Sequence, residues 1–112
     1  MLKNPIIKQT IHIRRHGGET HSSLIIELET EHGIDLFAAI KAACIEYCNT
    51  PDGKRFYRKK NHHTFNYGDF SNKVPNTICE KHGFRITSCA TLRDEDEEDY
   101  DTRLVTDEDI ID

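Results

Sequence analysis

The sequence predicts a small α+β domain: an antiparallel sheet of about three strands in the order β-β-α-α-β, with two helices packed on one face and an acidic C-terminal tail. Apolar residues recur at helical spacing over residues 34–48. Apolar and polar residues alternate, as in half-buried strands, over residues 6–15, 23–30 and 84–92. The chain of 112 residues is long enough for one modest core.

The helical segment at residues 34–48 is the one around which we expect the core to form. Asp35 precedes it and is a good N-cap residue, since its carboxylate can accept hydrogen bonds from the first free backbone N–H groups. Asn49, Thr50 and Pro51 end it. The spacing places these residues on one apolar face: Leu36, Phe37, Ile40, Ala43, Cys44, Tyr47 and Cys48.

The first two strand patterns are separated by a loop with two adjacent glycines, which predicts an antiparallel hairpin. The third strand returns to the same sheet after the helices. Period-two alternation predicts the side chains that face the core: Ile7, Ile11 and Ile13 in the first strand, Leu24, Ile26 and Leu28 in the second, and Phe84, Ile86, Ala90 and Leu92 in the third.

The middle of the chain is less regular. Pro51, Asp52 and Gly53 are typical of a turn. Residues 54–63 show neither helical spacing nor strand alternation of apolar residues, so the sequence assigns them to no helix or strand. A shorter helix follows over residues 69–83, with Pro75 in its first turn and a left-handed Gly83 at its end. The compact domain is therefore expected at residues 4–93.

Charge divides the chain into two parts. Residues 1–93 carry 14 basic and 9 acidic side chains, a net charge of +5, whereas residues 94–112 carry 11 acidic side chains and Arg103 alone, a net charge of −10. Blocks of like charge repel each other and often act as interaction tails. The sequence thus predicts an acidic, flexible tail at residues 94–112 that can cover a basic surface of the domain.

The basic segment at residues 54–63 is the main candidate for function. Fixed positive charges there can neutralise phosphates, and aromatic side chains can stack on bases or anchor the segment in the core. A solvated loop with two anchored aromatics is the alternative interpretation. The candidate residues for binding nucleic acid or another anion are Lys54, Arg55, Phe56, Tyr57, Arg58, Lys59, Lys60, His62 and His63.

These features favour a non-catalytic interaction or regulatory module that recognises a macromolecule, either nucleic acid or a charged protein, mainly by charge. Alternatively, the acidic tail itself docks on a basic partner. A homodimer is a further option, because the sheet leaves an edge strand and Ile25 on its outer face. We expect no membrane partner and a cytoplasmic location, since the sequence has neither ~20 consecutive apolar residues nor a signal peptide.

A third hypothesis is a zinc-stabilised domain. Cys44 and Cys48 lie one turn apart on one helix, as do Cys79 and His82 on the next, and thiolates with an imidazole suit zinc. The simpler expectation is no cofactor and reduced thiols packed as small apolar groups.

We expect no enzyme, since no spacing selects a nucleophile and base from Cys79, Cys89, His82 and His12. A thiol enzyme, or a small nuclease that uses His12 or His16, is the alternative.

Overall fold

The computed structural model describes Leu2 and residues 5–14, 22–59, 65–93 and 103–111. Three strands, Ile6–Arg14, Ser22–Glu31 and Phe84–Arg93, form an antiparallel sheet with the second of them in the centre, which confirms the α+β class. Within the described residues there are four α-helices, not two. The elements in chain order are β1 (Ile6–Arg14), β2 (Ser22–Glu31), α1 (Leu36–Cys48), α2 (Pro51–Lys59), β3 (Phe65–Asn66), α3 (Tyr67–Lys73), α4 (Asn76–Cys79), a 3-10 helix (Glu80–His82), β4 (Phe84–Arg93), β5 (Arg103–Val105) and a 3-10 helix (Asp107–Asp109).

The β1–β2 hairpin follows the predicted alternation. Its register is continuous from Ile6 opposite Glu31 to Arg14 opposite Ser23. All three predicted core residues of β2 are buried, and so is Ile11 of β1. Ile7 lies on the same side of the sheet but is 40% exposed, because β1 is an edge strand.

Strand β4 contains a β-bulge that the alternation did not predict. Leu28 of β2 pairs with Ile86, but Glu27 pairs with Ser88, so Thr87 has no residue opposite it. One extra residue reverses which side chains face the core beyond that point. Ala90 is therefore exposed opposite Ile25 instead of facing inward, which corrects the prediction. The Leu92 side chain lies outside the described residues.

Helix α1 is the predicted central helix, and Asp35 is its N-cap, accepting a hydrogen bond from the Ala38 N–H at 3.3 Å. The prediction was wrong for Phe37, which is 57% exposed. Its neighbour one turn on is the exposed Lys41, so this side of the helix faces solvent. The remaining members of the predicted apolar face are buried: Leu36, Ile40, Ala43, Cys44, Tyr47 and Cys48.

The predicted Pro51-Asp52-Gly53 turn is instead the first turn of α2. Thr50 acts as the N-cap, since its Oγ1 accepts a hydrogen bond from the Gly53 N–H at 3.0 Å. Proline is favourable at the first helical position because its missing N–H would have had no partner there. The previously unassigned residues 54–59 continue this helix.

The second predicted helix is broken at Val74, which has an extended backbone because it precedes Pro75. Pro75 is consequently the N-cap of α4 and does not lie inside one continuous helix. Asn66 and Asp69 form a capping box that starts α3. Gly83 has the predicted left-handed conformation, with φ of 89°.

Residues 103–111 pack against the domain and do not extend from it as a tail. Strand β5 pairs antiparallel with β3, and Leu104 and Val105 are buried in the core. Ile110 also packs against it. Two apolar residues between acidic stretches, Leu104 and Val105, therefore attach this segment to the core. The domain boundary at residue 94 stays a prediction. Residues 94–102 lie outside the described residues.

Truncation of a side chain in β5 tests the packing of this segment. Val105 is 0% exposed, so Val105→Ala should lower the free energy of unfolding by about 2 kcal/mol through lost apolar contact and a cavity. Ile111, which is 70% exposed, provides the matched control. Ile111→Ala should change the free energy of unfolding by less than about 0.5 kcal/mol. Urea denaturation measures both. Equal, negligible effects would mean that residues 103–111 are a free tail.

Candidate anion-binding surface

Helix α2 presents most of the predicted basic residues on one rigid element. Arg55, Arg58 and Lys59 are exposed, whereas Lys54 is half-buried. Lys73 of α3 adds a fifth positive charge, since its Nζ lies 5.1 Å from the centre of the Phe56 ring. We call these five residues the basic surface. Lys60, His62 and His63 lie outside the described residues.

The two aromatic residues of α2 anchor the helix. Tyr57 is only 2% exposed, so it cannot stack on a base. Phe56 is half-buried and packs edge-to-face on Phe65, with ring centres 6.2 Å apart. The structure thus selects anchoring over stacking for Tyr57, and leaves only part of the Phe56 ring at the surface beside Lys73.

Helix α2 is held close to the end of α1. A Cβ built on Gly53 would lie 1.8 Å from the Tyr47 carbonyl oxygen, so only glycine fits at this approach. The same oxygen accepts a hydrogen bond from Thr50 Oγ1 at 2.6 Å. These contacts turn Tyr57 toward the core and, by helical geometry, leave Arg55, Arg58 and Lys59 outside.

One acidic residue of the C-terminal segment (residues 103–111) contacts the buried side of α2. The Tyr57 hydroxyl donates a hydrogen bond to Asp107 Oδ1 at 3.0 Å. Asp107 and Glu108 are exposed, whereas Asp109 is half-buried and accepts a hydrogen bond from the Thr106 N–H. Sequence reasoning missed this contact, because nothing in the spacing of residues 57 and 107 indicates that they meet.

Arg55 is only weakly neutralised by an ion pair within α2. Arg55 Nη1 lies 3.1 Å from Asp52 Oδ1, three residues earlier on the same helix. Both side chains are more than half exposed, so water and salt screen the attraction, which contributes at most about 1 kcal/mol. A phosphate can therefore compete with Asp52 for the Arg55 guanidinium.

The proposed zinc ligands do not form a metal site. Cys44, Cys48 and Cys79 are buried in the core, whereas the His82 Nε2 lies 2.9 Å from Glu46 Oε1. Within the described ranges, no group of three or more histidine, cysteine or acidic side chains could hold a metal ion. His82 is half-buried and paired with Glu46 of α1, whereas the three thiols are buried in the core.

Two of the buried thiols, Cys44 and Cys79, are held in the protonated form. Burial, followed by the proximity of Cys48 and Cys79, raises the pKa of the Cys44 thiol well above its usual value. Burial likewise raises the pKa of Cys79 to about 12. Because metals bind the thiolate, these shifts favour the protonated, apolar state of both side chains. Cysteine here fills the core as a small hydrophobic residue.

A separate polar cluster joins the 3-10 helix at Glu80–His82 to α1. Glu46 accepts a hydrogen bond from Lys81 Nζ at 3.1 Å in addition to its contact with His82. The hydrogen bonds from His82 and then Lys81 keep the pKa of Glu46 below its usual value. This carboxylate is therefore ionised at neutral pH and bridges two elements, a structural role that needs no ligand.

Comparison with protein-family models, with curated proteins and with solved structures finds no match to this chain. In the part of the chain that the structure describes, no helix has the length and apolar character needed to cross a membrane. The function must therefore be inferred from the geometry and charge of the described surface.

Thiol reactivity distinguishes the packed cysteines from a metal site. In the native protein, the exposed Cys89 should react rapidly with a thiol reagent, whereas the other three cysteines should react only as the protein unfolds. The release of coloured thiolate from Ellman's reagent measures this. A zinc chelator should leave the reaction unchanged. Rapid reaction of additional thiols after chelation would contradict the packing assigned to them.

Proposed function

We propose that the protein is a non-catalytic interaction module that binds a polyanionic macromolecule through the basic surface of α2 and α3. The observation that carries this proposal is the exposure of Arg55, Arg58 and Lys59 on one helix whose opposite side is fixed in the core. A fixed helix holds its positive charges at constant spacing, so binding loses less conformational entropy than ordering a flexible loop would.

The chemistry of this surface suits phosphates better than bases. Arginine donates two parallel hydrogen bonds to a phosphate, and lysine adds a point charge. The burial of Tyr57 removes one of the two stacking faces, so the proposed binding relies on the charge of the backbone and carries little sequence specificity. Such binding weakens steeply as salt rises, because released counterions contribute much of the free energy.

A second candidate partner is a basic protein. This alternative is favoured by Asp107 and Glu108, which are exposed on a short element fixed to the core. The basic partner would then recognise these two carboxylates. Helix α2 would hold Asp107 in place through the hydrogen bond from Tyr57.

Charge reversal on α2 tests the first candidate. The variant Arg58→Glu/Lys59→Glu should bind a mixed-sequence single-stranded DNA at least about tenfold more weakly than the native chain. The slope of log affinity against log salt concentration should also be smaller, corresponding to roughly one to two fewer released counterions. Fluorescence anisotropy across a salt series measures both quantities. Lys8→Glu/Lys41→Glu is the matched control, since it reverses two exposed lysines on β1 and α1.

The control should retain nearly native affinity apart from the general effect of net charge. If both variants lose affinity equally, binding depends on total charge and the basic surface has no special role. If the native chain does not bind the DNA but captures a basic protein, and Asp107→Asn/Glu108→Gln abolishes that capture, the second candidate is supported instead.

A further inference from the structure

The side chain of Asn49 binds the backbone of the C-terminal segment. The Asn49 side chain donates a hydrogen bond from Nδ2 to the Asp109 carbonyl oxygen at 3.0 Å, and its Oδ1 accepts one from the Ile111 N–H at 2.7 Å. The same Nδ2 group also donates to the Ile45 carbonyl oxygen of α1 at 3.0 Å. Asn49 thus fixes the orientation of residues 109–111 relative to the end of α1.

Further contacts fix the other end of the segment. Leu104 and Val105 are buried, and the Tyr57 hydroxyl binds Asp107. The Thr106 N–H and hydroxyl both contact Asp109 Oδ2, which closes the short 3-10 helix on itself. Asp107 and Glu108 remain exposed, and Tyr57 attaches Asp107 to α2.

We propose that the docked C-terminal segment opposes anion binding at the basic surface, so that docking of the segment and binding of a polyanion are negatively coupled. This proposal rests on the function proposed above. Negative charges on Asp107 and Glu108 lower the electrostatic potential around α2 and repel an approaching polyanion. Lys54 precedes Tyr57 by three residues and Arg58 follows it directly, so helical geometry places both nearer the Asp107 side of α2 than Arg55 and Lys59. The carboxylates therefore act on this part of the basic surface.

Coupling between two binding events is reciprocal. If the docked segment weakens polyanion binding, a bound polyanion must weaken docking by the same factor. The hydrogen bond from the Ile111 N–H to Asn49 reports on docking directly, because the amide exchanges with solvent when this bond opens. Polyanion binding should therefore accelerate exchange at Ile111.

Neutralisation is a better test than deletion of the segment, since deletion would remove Leu104 and Val105 from the core. Asp107→Asn/Glu108→Gln removes two negative charges and leaves an oxygen that can still accept from Tyr57. Asp35→Asn/Glu27→Gln is the control: Asp35 caps α1 at the end opposite Asn49, Glu27 accepts from Ser88, and the amides preserve both acceptors.

We expect the Asp107→Asn/Glu108→Gln variant to bind single-stranded DNA on the order of threefold to tenfold more tightly than the control, with the difference decreasing at high salt. In the native chain, saturation with DNA should accelerate amide exchange at Ile111, as measured by NMR. Equal affinity of the two variants, or unchanged exchange at Ile111, would overturn the coupling.

The test separates the two proposals. If the native chain fails to bind DNA, the proposed function fails and the coupling fails with it. If Arg58→Glu/Lys59→Glu abolishes DNA binding while neutralisation of Asp107 and Glu108 matches the control, the basic surface stands and only the coupling is wrong. Tighter binding by the neutralised variant that persists after α2 is reversed would place the anion site elsewhere and also overturn the coupling.

Discussion

The close approach of α2 to the end of α1 is the constraint on which the rest of this structure depends. Gly53 lies so near the Tyr47 carbonyl oxygen that no other side chain fits between the two helices. Thr50 connects them, because its hydroxyl donates to Tyr47 and accepts from the Gly53 N–H. Steric and hydrogen-bonding requirements at three residues therefore determine the direction of α2.

That direction determines what each face of α2 can do. Tyr57 enters the core and reaches Asp107, while Arg55, Arg58 and Lys59 remain in solvent. The basic surface and the docked C-terminal segment are thus consequences of the same packing. A substitution that moves α2 would be expected to alter both, and this links the stability of the core to the proposed regulation of binding.

The sequence predicted most of the sheet and α1 because the patterns that specify them lie within each strand or helix. Alternation located the hairpin, and Asp35 and Gly83 marked helix ends through their own backbone chemistry. Two features depend on distant contacts and were not predictable from any period: the bulge at Thr87 and the pairing of β5 with β3. The start of α2 was predictable in principle, since Thr50 before Pro51 is an N-cap signal, but the following glycine favoured a turn.

The free energy of unfolding of Gly53→Ala tests the central constraint most directly. In an unobstructed helix interior, this replacement stabilises a protein by about 0.5 to 1 kcal/mol. Here the added Cβ would meet the Tyr47 carbonyl, so we expect destabilisation by more than about 1 kcal/mol. Lys59→Ala, at an exposed position of the same helix, is the control and should change the free energy of unfolding by less than about 0.5 kcal/mol. Stabilisation by Gly53→Ala would show that α2 does not lie against α1 in this way.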